Sequence, residues 1–284
     1  MTTETVNEPL EVRSGGGFDP IALSALFFLT LRQNIRGRRL IILSVLFLLP
    51  SLLDVIVRFA PFPPASDRLE FIFMFNFIPH ALLPLTALLY AAGVIQDEVE
   101  EQTLTYLLLR PLPRWAMYLT KITATWLVTS LLTAVFTTLT LVVVWWGTPE
   151  LFDVVLPMRA LKVCALMALA LVGYCSLFGA LGLLTRRSLL IGIAYIVACE
   201  GLLANINMGV RQLTVMYYFR VLAVRWLSPA DNKLWLDRWG LKLDEIPTAT
   251  SCVEILLIAS AVFCFFSILM ITYREFRMKT PEGS

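Results

Sequence analysis

Six long apolar stretches alternate with short polar ones along the chain, at about residues 40–59, 71–95, 115–146, 157–184, 188–208 and 251–273. A hydrocarbon core of about 30 Å takes about 20 residues of helix at about 1.5 Å each. Each stretch is therefore long enough to cross a bilayer. An earlier apolar run, 21–31, reaches only about 16 Å as a helix. Asp19 as N-cap and Pro20 at the first helical position open that run, and Arg32, Arg36, Arg38 and Arg39 close it. The expectation is an amphipathic helix over 18–39 lying on the membrane surface. The predicted fold class is an all-α integral membrane protein with six transmembrane helices within 40–273.

Two polar interruptions stand out. The first, 96–114, places Asp97, Glu98, Glu100 and Glu101 in its opening turns, where acids complement a helix dipole. A ridge of Leu104, Leu107 and Leu108 follows, and Pro111 with Pro113 ends it. It reads as a short helix held at the membrane surface. The second, 209–250, mixes apolar residues with Arg211, Arg220, Arg225, Trp226, Trp235 and Trp239. A basic, aromatic segment of this kind prefers the headgroup layer, so an amphipathic or re-entrant element is expected before the last helix. A gate at the outer exit, contact with lipid or lipid-linked cargo, and a belt without cargo specificity all fit it.

Orientation follows from Lys and Arg. With the N-terminus in the cytoplasm, thirteen of the 23 fall inside: five up to Arg39, then Arg110, Arg114, Lys121, Arg186, Arg187, Arg274, Arg277 and Lys279. Seven fall outside, Arg68 and six within 209–250. The short loops thus place both termini in the cytoplasm of a multi-pass protein of the cytoplasmic (inner) membrane. Residues 1–17 and 274–284 are expected to be cytoplasmic tails; the first, with its Thr, Glu and Ser-Gly-Gly-Gly run, reads as disordered, and as no signal peptide because no basic region precedes a cleavable apolar core.

Composition agrees with lipid as solvent: 58% hydrophobic residues, 15% charged and a mean hydropathy of +0.77. A net charge of +2 gives no footprint for nucleic acid. The five cysteines lie in or beside apolar stretches and read as small buried residues, with no disulfide framework or metal site expected. One histidine and no G-x-S-x-G or H-E-x-x-H motif leave no catalytic constellation.

Within the spans, Glu200 is the deepest charge, costing about 3 kcal/mol or more on insertion scales. Substrate or gating contact is one reading, and a hydrogen-bonded acid tying the fifth span to a neighbour is the other. Asp54 and Arg58, four apart, can pair on one helix face and snorkel to the interface. His80 sits between Pro79 and Pro84, which should bend the second span, and fits a hydrogen-bonded histidine at a kink better than a ligand. Thr129, Thr133, Thr137 and Thr140 recur at helical spacing in the third span. Their hydroxyls suit helix packing, with Thr133 and Thr137 kept as candidates for a substrate path. Gly173, Ser176, Gly179, Ala180 and Gly182 in the fourth span suit close helix approach, inside the subunit or at a dimer seam.

Glu98, Glu101, Thr103, Leu104, Leu107, Leu108, Pro111 and Arg114, with Lys121 in the next helix, resemble the cytoplasmic coupling segment of type-2 ABC exporter permeases. That family usually has Gly before the Thr-Leu, where this chain has Gln102. The resemblance extends to the surface helix, the six spans, the turn at Arg186 and Arg187, and the segment before the last span. It implies a permease subunit that moves a substrate across or out of the membrane. The chain contains no G-x-x-x-x-G-K-[ST], so by this resemblance ATP and Mg are bound by a separate ABC ATPase, two copies of which serve two permease chains. Arg186 and Arg187 join the coupling residues on this reading. A homodimer and a pairing with a different permease both remain open. A secondary transporter or channel, or a membrane-anchored assembly protein, are the alternative classes.

Overall fold

The computed structural model describes residues 20–59, 61–62, 64–94, 113–149, 155–185, 187–205, 209–227, 233–241 and 246–273. All secondary structure among them is helical. In chain order the helices are α1 (Pro20–Arg36), α2 (Arg38–Arg58), α3 (Ser66–Ala91), α4 (Arg114–Val144), α5 (Val155–Leu184), α6 (Ser188–Leu202), α7 (Val215–Leu227), α8 (Lys233–Trp239) and α9 (Ala249–Tyr273). The backbone has to satisfy its own hydrogen bonds in lipid, which leaves helix as the solution for each apolar run.

Five of these, α2, α3, α4, α5 and α9, are long and apolar enough to cross a membrane. The expected fifth span, 188–208, is shorter than its hydropathy suggests. Its apolar helix α6 has 15 residues and gives way to a 3₁₀ turn at Leu203–Asn205. A polar tether supplies the reason: Glu200, near the end of α6, holds the start of α7, so the chain turns back early. The 209–250 segment accordingly does not rest wholly at the surface. Its α7 is largely buried, packed on α5 and α9.

α5 is the central element, in contact with α3, α4, α6, α7 and α9, and is the most buried of the long helices. Lipid gives no hydrophobic drive for helices to meet, so close packing must come from small residues. Gly182 is such a position: a Cβ there would collide with the backbone of Ala92. At Gly179 it would lie 2.7 Å from the Tyr118 hydroxyl, and at Gly192 on α6 it would strike the Leu88 side chain. These glycines thus serve contacts within one chain. The outward faces of α2, α6 and α9 carry exposed Val45, Leu52 and Ile56, Leu190 and Val197, and Ile258, Val262 and Phe265, a surface suited to acyl chains.

α3 is not a regular helix. It opens into π geometry over Phe73–Leu82. Pro79 and Pro84 each lack the amide that would close a normal turn, so the ladder widens between them and the residues they displace. α6 widens likewise over Ile196–Leu202, which contains Glu200 but no proline.

Candidate functional site

The two widened stretches meet at a buried polar knot with α7. Glu200 is fully buried. Its Oε1 accepts from the amide of Val215 and from the Tyr195 hydroxyl, each at 3.3 Å, and its Oε2 accepts from the amide of Met216 at 3.2 Å. Val215 and Met216 are the first two residues of α7, whose amides have no partner inside the helix. The Thr214 hydroxyl accepts from the amide of Tyr217 at 3.3 Å. A carboxylate at this end also opposes the positive pole of the helix dipole. Of the two sequence-based readings of Glu200, the hydrogen-bonded acid that ties α6 to a neighbour is the geometry observed, and the neighbour is α7.

One turn further along α7, buried Arg220 reaches in two directions. Its Nη1 donates to the carbonyl of Ala204 at 2.9 Å, and its Nη2 lies 3.1 Å from Nε2 of His80 on α3. A guanidinium only donates, so His80 accepts at Nε2 and carries its proton on Nδ1. Nδ1 is buried without a hydrogen-bond partner among the described residues. Arg220 also lies over the ring of Trp239 at 6.0 Å. Trp235 and Trp239 of α8 pack on Phe71 and Phe75, with ring centroids 4.6 Å apart for Phe75 and Trp235 and 5.1 Å for Phe71 and Trp239. The tryptophans expected in the headgroup layer therefore cover the widened part of α3.

A second polar network, next to the first, joins the end of α4 to the starts of α3 and α5. Glu70, fully buried, takes a hydrogen bond from Arg159 Nε at 2.8 Å and one from Trp145 Nε1 at 3.2 Å. Asp54 is buried and pairs with Arg58 at 3.6 Å. Arg58, partly exposed at the end of α2, also turns to the Trp146 carbonyl and the Ser66 hydroxyl, linking that end to α4 and α3. Glu70 carried no signal in the sequence, because an acid just before an apolar run is ordinary. Arg220 carried little, hidden in a segment rich in surface-type arginines.

Thr133 donates to the carbonyl of Thr129 at 2.8 Å, and Thr137 to the sulfur of Met167 on α5 at 3.3 Å, both nearly fully buried. They sit in the contact between α4 and α5. Of the coupling residues, Arg114 opens α4 and is exposed, as is Arg187 before α6, and Lys121 is buried. Glu98, Glu101, Thr103, Leu104, Leu107, Leu108, Pro111 and Arg186 lie outside the described residues. Among the described residues no group of three His, Cys, Asp or Glu side chains could hold a metal ion.

A family model described as ABC-2 family transporter protein matches residues 35–201, more than half of the chain. The chain belongs to the ABC-2 transporter family. No curated protein matches it. This ABC-2 protein is thus an ABC transporter permease, a multi-pass membrane subunit whose family implies an ABC ATPase as partner. The matched region runs from the end of α1 to just past Glu200. α7, which holds Glu200 through its first amides and reaches His80 through Arg220, lies beyond it.

Proposed function

We propose that this ABC-2 permease is the transmembrane subunit of an exporter, coupled through residues 96–114 to a separate ATPase that binds ATP and Mg. The observation that carries the reading is the family match across 35–201, which brackets that segment. The acid-rich turns, the ridge of Leu104, Leu107 and Leu108, and the closing prolines give a docking helix its charge, apolar face and stop. α3, which leads into the segment, is packed on α5 at Ala92 and Gly182, and α4, which leaves it, packs along α5 as well, so a push on the segment moves α3, α4 and α5 together. Closure of the ATPase on ATP then biases two arrangements of the membrane helices, a rigid-body coupling. Two permeases and two ATPases form the working unit, in the cytoplasmic membrane with both termini in the cytoplasm, where Arg186 and Arg187 supply a second contact. Glu200, Thr133 and Thr137 stay as the positions at which cargo or gating would be felt.

Leu107→Asp tests this. The substitution places a charge on the docking ridge, so ATPase recovered with the affinity-purified permease should fall sharply while membrane insertion is unchanged. Undiminished recovery, or transport by the permease in the absence of any ATPase, overturns the reading.

A further inference from the structure

The surface helix carries a feature that the proposed coupling through 96–114 does not account for. α1 buries Leu26 and Thr30 against its neighbours, and Asn34 donates to the Thr125 hydroxyl on α4 at 3.2 Å while its carbonyl accepts from Tyr90 at 3.2 Å. Positions 26, 30 and 34 thus fix the inward face. The opposite face presents Phe28, Leu29 and Ile35, exposed by 65%, 52% and 47%. Beside them stand Arg32 and Arg36, one turn apart and both exposed, and Arg38 follows across Gly37 at the start of α2. Arg39 is different: it turns inward and donates to the carbonyl of Leu89 at 3.2 Å. That bond sets the arginines level with the end of α3, where the chain leaves the apolar layer.

Among the described residues no acid compensates the charge on this surface. No acid occurs between Pro20 and Asp54. Arg32, Arg36 and Arg38 make no hydrogen bond or ion pair with the described residues. Exposed guanidinium groups next to exposed large apolar side chains, at the depth of the interface, match a molecule that offers phosphate and hydrocarbon together. Planar guanidinium groups also bind phosphate oxygens in pairs, which favours them over a simple point charge.

We infer that the outward face of α1 and the start of α2 form a binding site for anionic phospholipid, with Arg32, Arg36 and Arg38 taking headgroup phosphates and Phe28, Leu29 and Ile35 lying along acyl chains. Bound lipid then holds the surface helix at a fixed depth and, through Asn34, steadies α4 against Tyr90. The inference is independent of the exporter reading.

The test is lipid binding by the purified full-length chain in neutral detergent, with short-chain phosphatidylglycerol or phosphatidylcholine counted by native mass spectrometry. The wild type should retain phosphatidylglycerol about tenfold or more over phosphatidylcholine, since each basic side chain near an anionic surface contributes roughly fivefold. Replacing all three arginines with glutamine should reduce that preference to within about twofold while leaving phosphatidylcholine binding intact, and replacing all three with lysine should keep most of it. Should the triple glutamine variant fail to fold, Arg32→Gln alone should lower the preference about fivefold. A wild type without preference, a variant with undiminished preference, or displacement of the lipid by equimolar inorganic phosphate overturns the inference. So does loss of a co-purifying ATPase with lipid preference unchanged, which would mark the face as a protein contact.

Discussion

Arg220 on α7 donates to Nε2 of His80 on α3 at 3.1 Å, across 140 residues of chain and from outside the family-matched region into it. The contact fastens the short returning helix to the widened part of a spanning helix. Its other branch, to the Ala204 carbonyl at 2.9 Å, fastens the same helix to the end of α6. Removing the guanidinium with Arg220→Met leaves the buried Ala204 carbonyl and the part-buried His80 Nε2 unmatched, and a buried unmatched polar group costs about 1–3 kcal/mol. The variant should melt earlier in detergent by that margin. His80→Gln keeps an acceptor for Arg220 and should cost less. Equal melting of Arg220→Met and wild type would show that this fastening adds nothing to stability.

Glu200 accepts three donors, and Glu200→Gln must turn an NH₂ group toward one side of that set. One carboxamide oxygen can still serve α7, so the variant should assemble with the ATPase and lose about 1 kcal/mol of stability. Glu200→Ala strands the first amides of α7 and should lose more. If the charge serves cargo as well as α7, Glu200→Gln will also blunt the stimulation of ATP hydrolysis by cargo. Wild-type stimulation in a well-assembled Glu200→Gln complex restricts the residue to holding α7.

The glycine positions give a graded series. A Cβ at Gly173 meets Val215 at 3.4 Å, ordinary contact, whereas at Gly192 it meets the flexible end of Leu88 and at Gly182 it meets the backbone of Ala92. A side-chain tip can turn aside and a backbone cannot. Alanine should therefore be tolerated at Gly173, cost a modest amount at Gly192, and cost about 1–3 kcal/mol or more at Gly182, as overpacking does. Thermal melting of the three variants checks the order, and Gly182→Ala as stable as Gly173→Ala would refute the close approach of α3 and α5.

Hydropathy and length made most of this fold legible, because lipid leaves a chain few other options. The expected spans at 40–59 and 157–184 lie within two residues of α2 and α5 at each end. The exception is α6, which stops early through individual hydrogen bonds that a running average of hydropathy has no access to. His80 was legible because two prolines flag a kink. Glu70 was not, because its partners Arg159 and Trp145 come from distant parts of the sequence.

Topology yields a prediction that the structure also refines. Arginine placement puts Arg187 inside and the α8 region outside. Trp235 is buried against Phe75, so a cysteine there reports on packing as well as on side. Asp237 on the same helix is exposed and suits the purpose. In a background free of native cysteines, an impermeant thiol reagent added outside intact cells should label Asp237→Cys and spare Arg187→Cys. Labelling of Arg187→Cys would overturn the assigned orientation.

Glu70 and Arg159 form a buried pair at 2.8 Å, with Arg159 one-fifth exposed and Glu70 sealed. Removing one partner of such a pair strands the other's charge, at a cost of about 3–5 kcal/mol, whereas replacing both with apolar side chains is often neutral. Arg159→Met should thus be the more damaging single change than any surface arginine substitution, and Glu70→Leu should be milder because Arg159 can still turn toward water. The double variant should regain most of the loss in Arg159→Met, leaving Trp145 Nε1 as the group without an acceptor. A double-mutant cycle on melting temperatures measures this directly. Additive losses would mean that the two charges act independently, and that the ends of α3 and α5 are held by packing alone.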